Sequence, residues 1–168
     1  MNNIFLIGFM GTGKSTVAQA LQEVTGREII EMDQELEKLA NMTINDIFAK
    51  HGEDYFRDLE SKLVLEISKQ DEKIVSCGGG AVLREENRKY MKESGKIVLL
   101  TATPKTVYER IKDFNDRPLL AGNMNEEYIA SLMEKRRDLY EAAKDVTVAT
   151  DGKTARAIGE EILDKIRA

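Results

Sequence analysis

The sequence predicts a three-layer α/β fold in which a five-stranded parallel sheet is flanked by helices. Short apolar runs alternate along the chain with amphipathic stretches of helical spacing, which is the pattern of a parallel α/β sheet. A glycine-rich turn joins the first apolar run to the first amphipathic stretch. The 168 residues contain no internal repeat and no long linker, so we expect a single domain over 1–168.

Apolar runs and turn residues mark the individual elements. Strands are predicted at Ile4–Ile7, Glu28–Met32, Lys73–Cys77, Lys96–Thr101 and Asp145–Ala149. Gly26 and Gly95 follow helical patterns and are placed to end those helices as C′ residues. Thr103-Pro104 predicts a helix start, and Thr43 with Asp46 three residues later resembles a capping box.

Composition restricts the classes of partner. The net charge of −5, from 25 basic and 30 acidic residues, argues against nucleic acid, whose phosphates attract basic proteins. No apolar run approaches the roughly 18 residues of a membrane span, and no signal peptide precedes the first strand. We therefore expect a cytoplasmic monomer without a membrane partner. The single Cys77 allows no disulfide, and the single His51, expected at the surface, allows no His-cluster metal site.

The eight residues Gly8–Ser15 match G-x-x-x-x-G-K-[ST], the phosphate-binding P-loop. Between a strand and a helix, such a turn aims backbone N–H groups and the positive end of the helix dipole at phosphate oxygens. Lys14 is expected to reach the β- and γ-phosphates, and the Ser15 hydroxyl to bind Mg²⁺. The alternative is a tight glycine turn that precedes Lys-Ser by chance. The nucleotide ligands expected in this segment are Gly11, Thr12, Gly13, Lys14, Ser15 and Thr16.

A polar segment at about 112–125 interrupts the alternation of strands and helices. It contains Pro, Gly, three Asn and two Asp between two helical patterns, and a loop of that length is uncommon in a compact domain unless it works as a lid. Kinases that transfer phosphate to a hydroxyl need a mobile lid to exclude water. Arg117 in this lid is placed to stabilise transition-state charge on the phosphates. The alternative is a solvated loop with an idle arginine.

Helical geometry selects one arginine near the C-terminus. In the helix predicted over Glu126–Ala142, Arg136 falls in the middle of the apolar stripe and Arg137 at its edge. A guanidinium on a buried face needs an anion, which is either a protein carboxylate or a substrate carboxylate bound through two hydrogen bonds. By the same reasoning Glu60 leans into an apolar helix face, with Arg57 as its nearest possible partner.

Two further features follow neighbouring predicted strands. Asp33 comes just after the second strand, at the carboxyl edge where open α/β sheets bind ligands. Gly78-Gly79-Gly80 follows the third strand, and glycines suit a backbone that approaches a ligand closely. Asp33 could instead be a helix cap and the triplet a simple turn. The chain has no N-K-x-D and no apolar run that ends in Asp, which argues against Ras-like GTPases and motor-type ATPases.

Taken together, these motifs resemble the shikimate kinase family over nearly the whole chain. They follow the family's order and spacing as Gly8–Ser15, Asp33, Phe56-Arg57-x-x-Glu60, Gly78-Gly79-Gly80, Arg117-Pro118-Leu119-Leu120 and Arg136-x-x-Leu139-Tyr140. The resemblance implies that shikimate is held by Asp33, Arg57, Gly79 and Arg136, with substrate-binding helices at about 33–60. It also implies that Arg117 is the lid arginine on ATP and that Arg110 lies against the adenine.

The resemblance implies a P-loop kinase that transfers the γ-phosphate of ATP to the 3-hydroxyl of shikimate. Lys14, Mg²⁺ on Ser15 and Arg117 would stabilise the transferred group, and Asp33 would orient the hydroxyl and accept its proton. One departure is Glu31-Met32-Asp33, where the family usually has Asp-x-Asp, so that Glu31 is one methylene longer at a position expected to hold magnesium through water. The alternatives are a kinase for gluconate or a nucleoside monophosphate, or a catalytically idle nucleotide-binding module.

Overall fold

The computed structural model describes residues 2–112 and 125–167, and within these ranges strands and helices alternate. The elements are β1 Asn3–Ile7, α1 Lys14–Thr25, β2 Ile29–Glu31, α2 Met32–Ala40, α3 Ile44–Ser68, β3 Ile74–Ser76, α4 Glu85–Ser94, β4 Gly95–Thr101, α5 Pro104–Ile111, α6 Glu126–Ala143, β5 Val146–Ala149 and α7 Ala155–Arg167. All five predicted strands are present, each with bounds within one residue of the prediction. Arg117 and most of the predicted lid lie outside the described residues.

The sheet is parallel and has the strand order β2-β3-β1-β4-β5. Strand β1 lies at the centre of the sheet, and all five of its residues are buried. Its Ile4 lies between Ile74 of β3 and Lys96 of β4. Continuous apolar runs suit such a strand because helices cover both faces of a parallel sheet. The carboxyl ends of β1, β2 and β3 therefore meet at one edge, which is where this class of sheet binds ligands.

Two apolar clusters confirm the predicted three layers. Because side chains alternate along a strand, Phe5 and Ile7 of β1 join a cluster with residues of α2, α3 and α6, while Ile4 and Leu6 join another with α1 and α7. The sheet thus has a helical layer on each side. Within the described ranges, no helix combines the length and the apolar character needed to cross a bilayer.

The helix boundaries predicted at Gly26, Gly95 and Thr103 are all present, but the backbone of Gly95 does not have the conformation expected of a C′ glycine. Gly26 ends α1 with a left-handed φ of 74°, and Thr103 caps α5, whose first residue is Pro104. Gly95 is not a left-handed C′ residue, because its φ of 177° is extended and it is already the first residue of β4. It pairs with Asn3 of β1 so closely that a Cβ would collide with the Asn3 backbone. Close strand pairing therefore explains this glycine.

The long helix α3 is interrupted by a kink at Gly52. Thr43 caps it by accepting the N–H of Asp46 at 3.2 Å. Gly52 then breaks the helical path with φ 81° and ψ 175°, so that α3 is two helical pieces joined at a kink. His51 is exposed beside the kink and stacks on Tyr55, with ring centroids 4.3 Å apart. The kink separates the start of α3 from the piece that carries the candidate site residues.

The second strand is shorter than predicted, and this fixes the position of Asp33. Strand β2 ends at Glu31, and Met32, expected in the strand, is the buried first residue of α2. Asp33 therefore lies in the first turn of α2, where the helix dipole favours a carboxylate. The N-cap is Glu31, which makes no side-chain cap hydrogen bond. Asp33 is thus not the helix cap considered as its alternative role.

Candidate active site

The glycine-rich turn leads from β1 into the N-terminus of α1, as its motif predicts. Gly11 and Gly13 have φ of 79° and 97°, a region that side-chain-bearing residues rarely enter. A Cβ at Gly11 would also begin 2.8 Å from the Ile111 side chain. Gly13 caps α1 and Lys14 is its first residue. The N-terminus of α1, with the N–H groups of its first turn, therefore adjoins the glycine-rich turn, which is the geometry of an anion cradle.

Side chains of the turn hold it in shape. The Lys14 ammonium donates to the carbonyls of Gly8 and Phe9 at 2.6 and 3.1 Å, which places its charge over the turn. The Thr12 hydroxyl donates to the Phe9 carbonyl at 2.8 Å and is buried. The positive charge of Lys14 therefore already lies at the turn, and the Thr12 hydroxyl helps to fix the backbone of the turn.

Arg110 connects the turn to the loop that follows β5. From α5 its guanidinium donates to the Gly11 carbonyl at 2.9 Å and to the Thr150 hydroxyl at 3.2 Å. The neighbouring Asp151 accepts the Thr103 N–H at 3.0 Å, and hydrogen bonds from Thr106 and Thr103 lower the pKa of the Asp151 carboxyl. The N-terminus of α5, the loop after β5 and the phosphate turn thus form one connected surface.

A cleft of about 220 Å³ opens between the turn and the glycine triplet at the carboxyl edge of the sheet. It is lined by Met10, Gly11, Gly13, Lys14, Ser15, Thr16, Glu31, Asp33, Ser76, Cys77, Gly78 and Gly79. Burial raises the pKa of the Cys77 thiol, so this side chain remains un-ionised in the wall of the cleft. The cleft joins the phosphate turn to the predicted acceptor residues Asp33 and Gly79.

The first two glycines of the triplet pack directly against ionisable side chains. A Cβ at Gly78 would begin 2.9 Å from Asp33 Oδ1 and 3.5 Å from Glu60 Oε2. A Cβ at Gly79 would begin 2.9 Å from Arg136 Nη1. Any side chain here would displace the charged groups. The triplet is therefore more than a turn, because its lack of side chains lets α2, α3 and α6 bring charges together at one edge.

Arg57 packs against the third glycine and between two carboxylates. A Cβ at Gly80 would lie 2.6 Å from the Arg57 Cζ. The guanidinium makes ion pairs with Glu60 at 3.0 Å and Glu53 at 3.3 Å, and it lies over the Phe56 ring, 5.2 Å from the centroid. Its side chain is 11% exposed. The guanidinium is thus held by two carboxylates, an aromatic ring and Gly80, with its charge largely compensated by the protein.

Glu60 is a buried carboxylate with one oxygen facing the acceptor side of the cleft. Its side chain is 1% exposed, Oε1 accepts from Arg57 at 3.0 Å, and within the described residues Oε2 has no hydrogen-bond partner. Burial raises the pKa of the Glu60 carboxyl, an effect that Arg57 opposes and Asp33 reinforces. Glu60 and Asp33 therefore form a pair of neighbouring acids beside Gly78.

On α6 the two adjacent arginines differ as helical periodicity predicts. Arg136 is half-buried and contacts Gly79, whereas the Arg137 side chain is 62% exposed and pairs with Glu134 at 3.0 Å. One turn later the Tyr140 hydroxyl donates to the Gly79 carbonyl at 2.6 Å; burial raises the pKa of this hydroxyl, and the nearby Arg136 charge opposes the rise. Helix α6 is thereby fastened to the glycine triplet.

Comparison with known proteins agrees with this geometry. The family model for shikimate kinase matches residues 10–167. The chain is also 44% identical to the shikimate kinase of Persephonella marina, over 99% of this chain and 100% of that protein. The chain belongs to the shikimate kinase family. The resemblance drawn from the motifs is therefore confirmed.

Solved structures of shikimate kinases share the fold. The shikimate kinase of Acinetobacter baumannii, in complex with shikimate, superposes with a TM-score of 0.94 at 34% identity, covering 99% of this chain and 93% of that one. The shikimate kinase of Aquifex aeolicus superposes with a TM-score of 0.84 at 34% identity, covering 98% and 96% of the two chains. The predicted three-layer fold with five parallel strands is confirmed.

In this member of the shikimate kinase family the predicted site residues fall into two neighbouring groups. The nucleotide group lies on the phosphate turn and on Arg110, which contacts that turn. The predicted acceptor group consists of Gly79 and the side chains that pack against the glycine triplet, which are Asp33, Arg57 and Arg136. Arg117, the predicted lid arginine, lies outside the described residues.

Sequence reasoning missed two contacts within the site of this shikimate kinase family member. The Ser15 hydroxyl donates to Glu31 Oε2 at 3.1 Å, so the longer Glu31 side chain reaches the proposed metal ligand. The hydroxyl of Tyr140 joins Arg136 and Gly79, although periodicity places Tyr140 simply on the apolar stripe. The family pattern contains Tyr140, which is a signal that it does more than pack.

Proposed function

We propose that this chain catalyses the transfer of the γ-phosphate of ATP to the 3-hydroxyl of shikimate. One observation carries the proposal: Asp33 and Arg136 converge on adjacent glycines beside the phosphate turn. This arrangement offers an acceptor for hydroxyl protons and a cation for a carboxylate within reach of a phosphate cradle. A small polyhydroxylated acid is the substrate class that it fits.

The two acceptor-side arginines have different electrostatic roles in this proposal. Among the described residues, Arg57 makes ion pairs with Glu53 and Glu60, whereas Arg136 makes none and contacts the neutral Tyr140 hydroxyl. Arg136 therefore retains the positive charge that would bind the shikimate carboxylate most strongly. Arg57 would add directional hydrogen bonds with little net charge. This distribution favours the substrate carboxylate over a protein carboxylate as the anion for Arg136.

Asp33 would orient the attacking hydroxyl and accept its proton. It is half-buried at the edge of the cleft, in the first turn of α2, where the helix dipole favours the ionised carboxylate. An ionised acid close to the phosphate turn can align a hydroxyl toward the γ-phosphate and take up its proton as the bond forms. Alignment is the larger contribution expected in phosphoryl transfer, where positioning and charge stabilisation dominate.

On the nucleotide side, Lys14 and the N-terminus of α1 would bind the phosphates. The Lys14 ammonium already lies over the turn, and the first N–H groups of α1, which begins at Lys14, would bind phosphate oxygens. Arg110, which joins Gly11 to Thr150, would lie beside the adenine. Arg117 would approach the phosphates from the lid and stabilise the charge of the transferred group.

The chemistry of Ser15 and Glu31 suits Mg²⁺ bound together with the nucleotide. Among residues 2–112 and 125–167, no group of three or more His, Cys, Asp or Glu side chains could hold a metal ion by itself. Mg²⁺ usually takes one or two protein ligands and completes its octahedron with phosphate and water. The hydrogen-bonded Ser15 and Glu31 would hold it, and the ion would neutralise phosphate charge.

An acceptor screen tests the proposed function. The protein is incubated with ATP, Mg²⁺ and either shikimate, gluconate or AMP, and ADP release and phosphorylated product are measured. ADP formation that depends on shikimate is expected, and the Lys14→Ala variant should abolish it. Turnover of AMP or gluconate without shikimate turnover would contradict the substrate, and nucleotide binding without product would indicate an idle module. Monomeric state and cytoplasmic location remain predictions, the first checked by light scattering.

A further inference from the structure

Tyr140 connects two of the proposed shikimate ligands through a single hydroxyl. Its O–H donates to the Gly79 carbonyl at 2.6 Å, and the Arg136 guanidinium packs against the same glycine. The hydroxyl also lies 3.8 Å from the point where a Cβ on Gly79 would begin, and Arg136 Nη1 lies 2.9 Å from that point. Glycine, guanidinium and phenol thus form one compact contact at the acceptor end of the cleft.

The Tyr140 ring borders open space on one side and the apolar core on the other. The residue is 6% exposed, yet it borders a second cavity of about 290 Å³ between β4, α5 and α6. Other residues that line this cavity include Phe9, Leu99, Pro104 and Met133. A side chain next to such a space has room to move, because close packing is what normally confines a ring. The hydrogen bond of the hydroxyl to Gly79 therefore adds to packing in holding the ring.

We infer that Tyr140 is a positioning residue for shikimate, because its hydroxyl fixes the direction of the Arg136 guanidinium and the Gly79 peptide. The inference rests on the proposed role of Arg136 in binding the substrate carboxylate. Guanidinium recognition of a carboxylate depends on a planar fork of donors, so its orientation matters as much as its charge. A hydroxyl that donates to the Gly79 carbonyl fixes the peptide against which the Arg136 guanidinium packs, so it also limits the orientation of the guanidinium.

The first test removes the hydroxyl and keeps the ring. Tyr140→Phe should raise the KM and Kd for shikimate about 3- to 10-fold, the range expected for one net hydrogen bond. The KM for ATP should change little, and the thermal midpoint should fall by only a few degrees, about 2–4 °C for one net hydrogen bond in a domain of this size. Tyr90→Phe is the matched control, because Tyr90 is a partly buried tyrosine of α4 packed against the same apolar cluster. Unchanged shikimate constants in Tyr140→Phe would overturn the inference.

A double-mutant cycle shows whether Tyr140 acts through Arg136. In an Arg136→Ala background, Tyr140→Phe should weaken shikimate binding by less than twofold, since coupled residues are non-additive. Full additivity would contradict the positioning role. Arg136→Ala with normal shikimate affinity would instead refute the proposed binding role of Arg136. Loss of shikimate affinity in Arg136→Ala without loss in Tyr140→Phe would refute the inference alone.

A third experiment separates the hydroxyl from the space that the ring fills. Tyr140→Ala should weaken shikimate binding and enlarge the neighbouring cavity, and apolar cavities of this kind take up small aromatic molecules. Added phenol should lower the KM for shikimate toward the wild-type value, whereas toluene should restore only the thermal midpoint. Equal rescue of the KM by toluene would assign Tyr140 a packing role and overturn the inference.

Discussion

Arg136→Ala is the substitution that most directly tests the acceptor side of the site. Arg136 is half-buried, contacts the Tyr140 hydroxyl and makes no ion pair among the described residues, so its charge is available to an anionic ligand. A hydrogen bond to a charged group contributes about 1.5–3 kcal/mol. At about 1.4 kcal/mol per factor of ten, its loss should weaken shikimate binding about 10- to 150-fold.

The assay separates binding of the two substrates. Kd values for shikimate and for ATP are measured by calorimetry, with KM and kcat from coupled ADP release. Arg136→Ala should raise the Kd and KM for shikimate and leave the Kd for ATP within twofold. The neighbouring Arg137→Ala is the matched control, because the same change is made one residue away on a side chain that is 62% exposed. Arg137→Ala should change neither the Kd for shikimate nor the Kd for ATP.

Two outcomes would refute this reasoning. If Arg136→Ala bound ATP as poorly as shikimate, or lost its folded structure, Arg136 would be part of an internal ion pair and not a substrate ligand. If Arg136→Ala and Arg137→Ala affected shikimate binding equally, helical position would have no bearing on the site. Unfolding experiments in urea distinguish the first possibility from a local loss of binding.

The remaining predictions concern rate, pH and packing. Arg117→Ala should lower kcat at least about a hundredfold with little change in the KM for shikimate, and Arg117→Lys should recover part of the rate; near-normal kcat would mean an idle arginine. Burial raises the pKa of the Glu60 carboxyl above its ordinary value of 4.5. The contribution of this group to the free energy of unfolding is therefore complete below pH 4.5 and is lost as the pH rises through the pKa of the folded state. The free energy of unfolding of the wild type, measured in urea, should therefore fall relative to Glu60→Gln above pH 4.5, and a pH-independent difference would contradict this. Gly95→Ala should lower the free energy of unfolding by about 1–3 kcal/mol, because its Cβ would meet the Asn3 backbone. Gly159→Ala, with a Cβ in ordinary contact at 3.7 Å within α7, should be neutral or stabilising; equal effects of the two would refute the steric reasoning.

The local sequence pattern was sufficient to predict the strands and the side of α6 on which Arg136 lies. Each strand is a short apolar run bounded by polar or turn residues. Such a run can be recognised in the sequence without knowing which strands it pairs with. Likewise, the angle between two residues on a helix depends on their spacing alone, which is why Arg136 was separated correctly from Arg137. The phosphate turn is also a local structure, since one strand, one turn and one helix form it.

Contacts between distant segments could not be predicted in the same way. The role of Gly95 depends on its pairing with Asn3 across the sheet, which helical periodicity does not contain. The hydrogen bond from Ser15 to Glu31 depends on the distance between α1 and the end of β2. For Glu60, the sequence indicated the partner Arg57, but burial and the nearness of Asp33 follow from packing around Gly78.

The strand order β2-β3-β1-β4-β5 also constrains the order of events during folding. Strands β1 and β2 are not neighbours, and β3, synthesised after α3, lies between them. A growing chain that has reached the end of α3 therefore holds two strands that cannot pair with each other. Once Ile74–Ser76 emerges, both gain a partner, and the same event brings Asp33 to Gly78. Such long-range parallel pairing is slow, so a nascent chain without β3 should have neither a sheet nor an acceptor site.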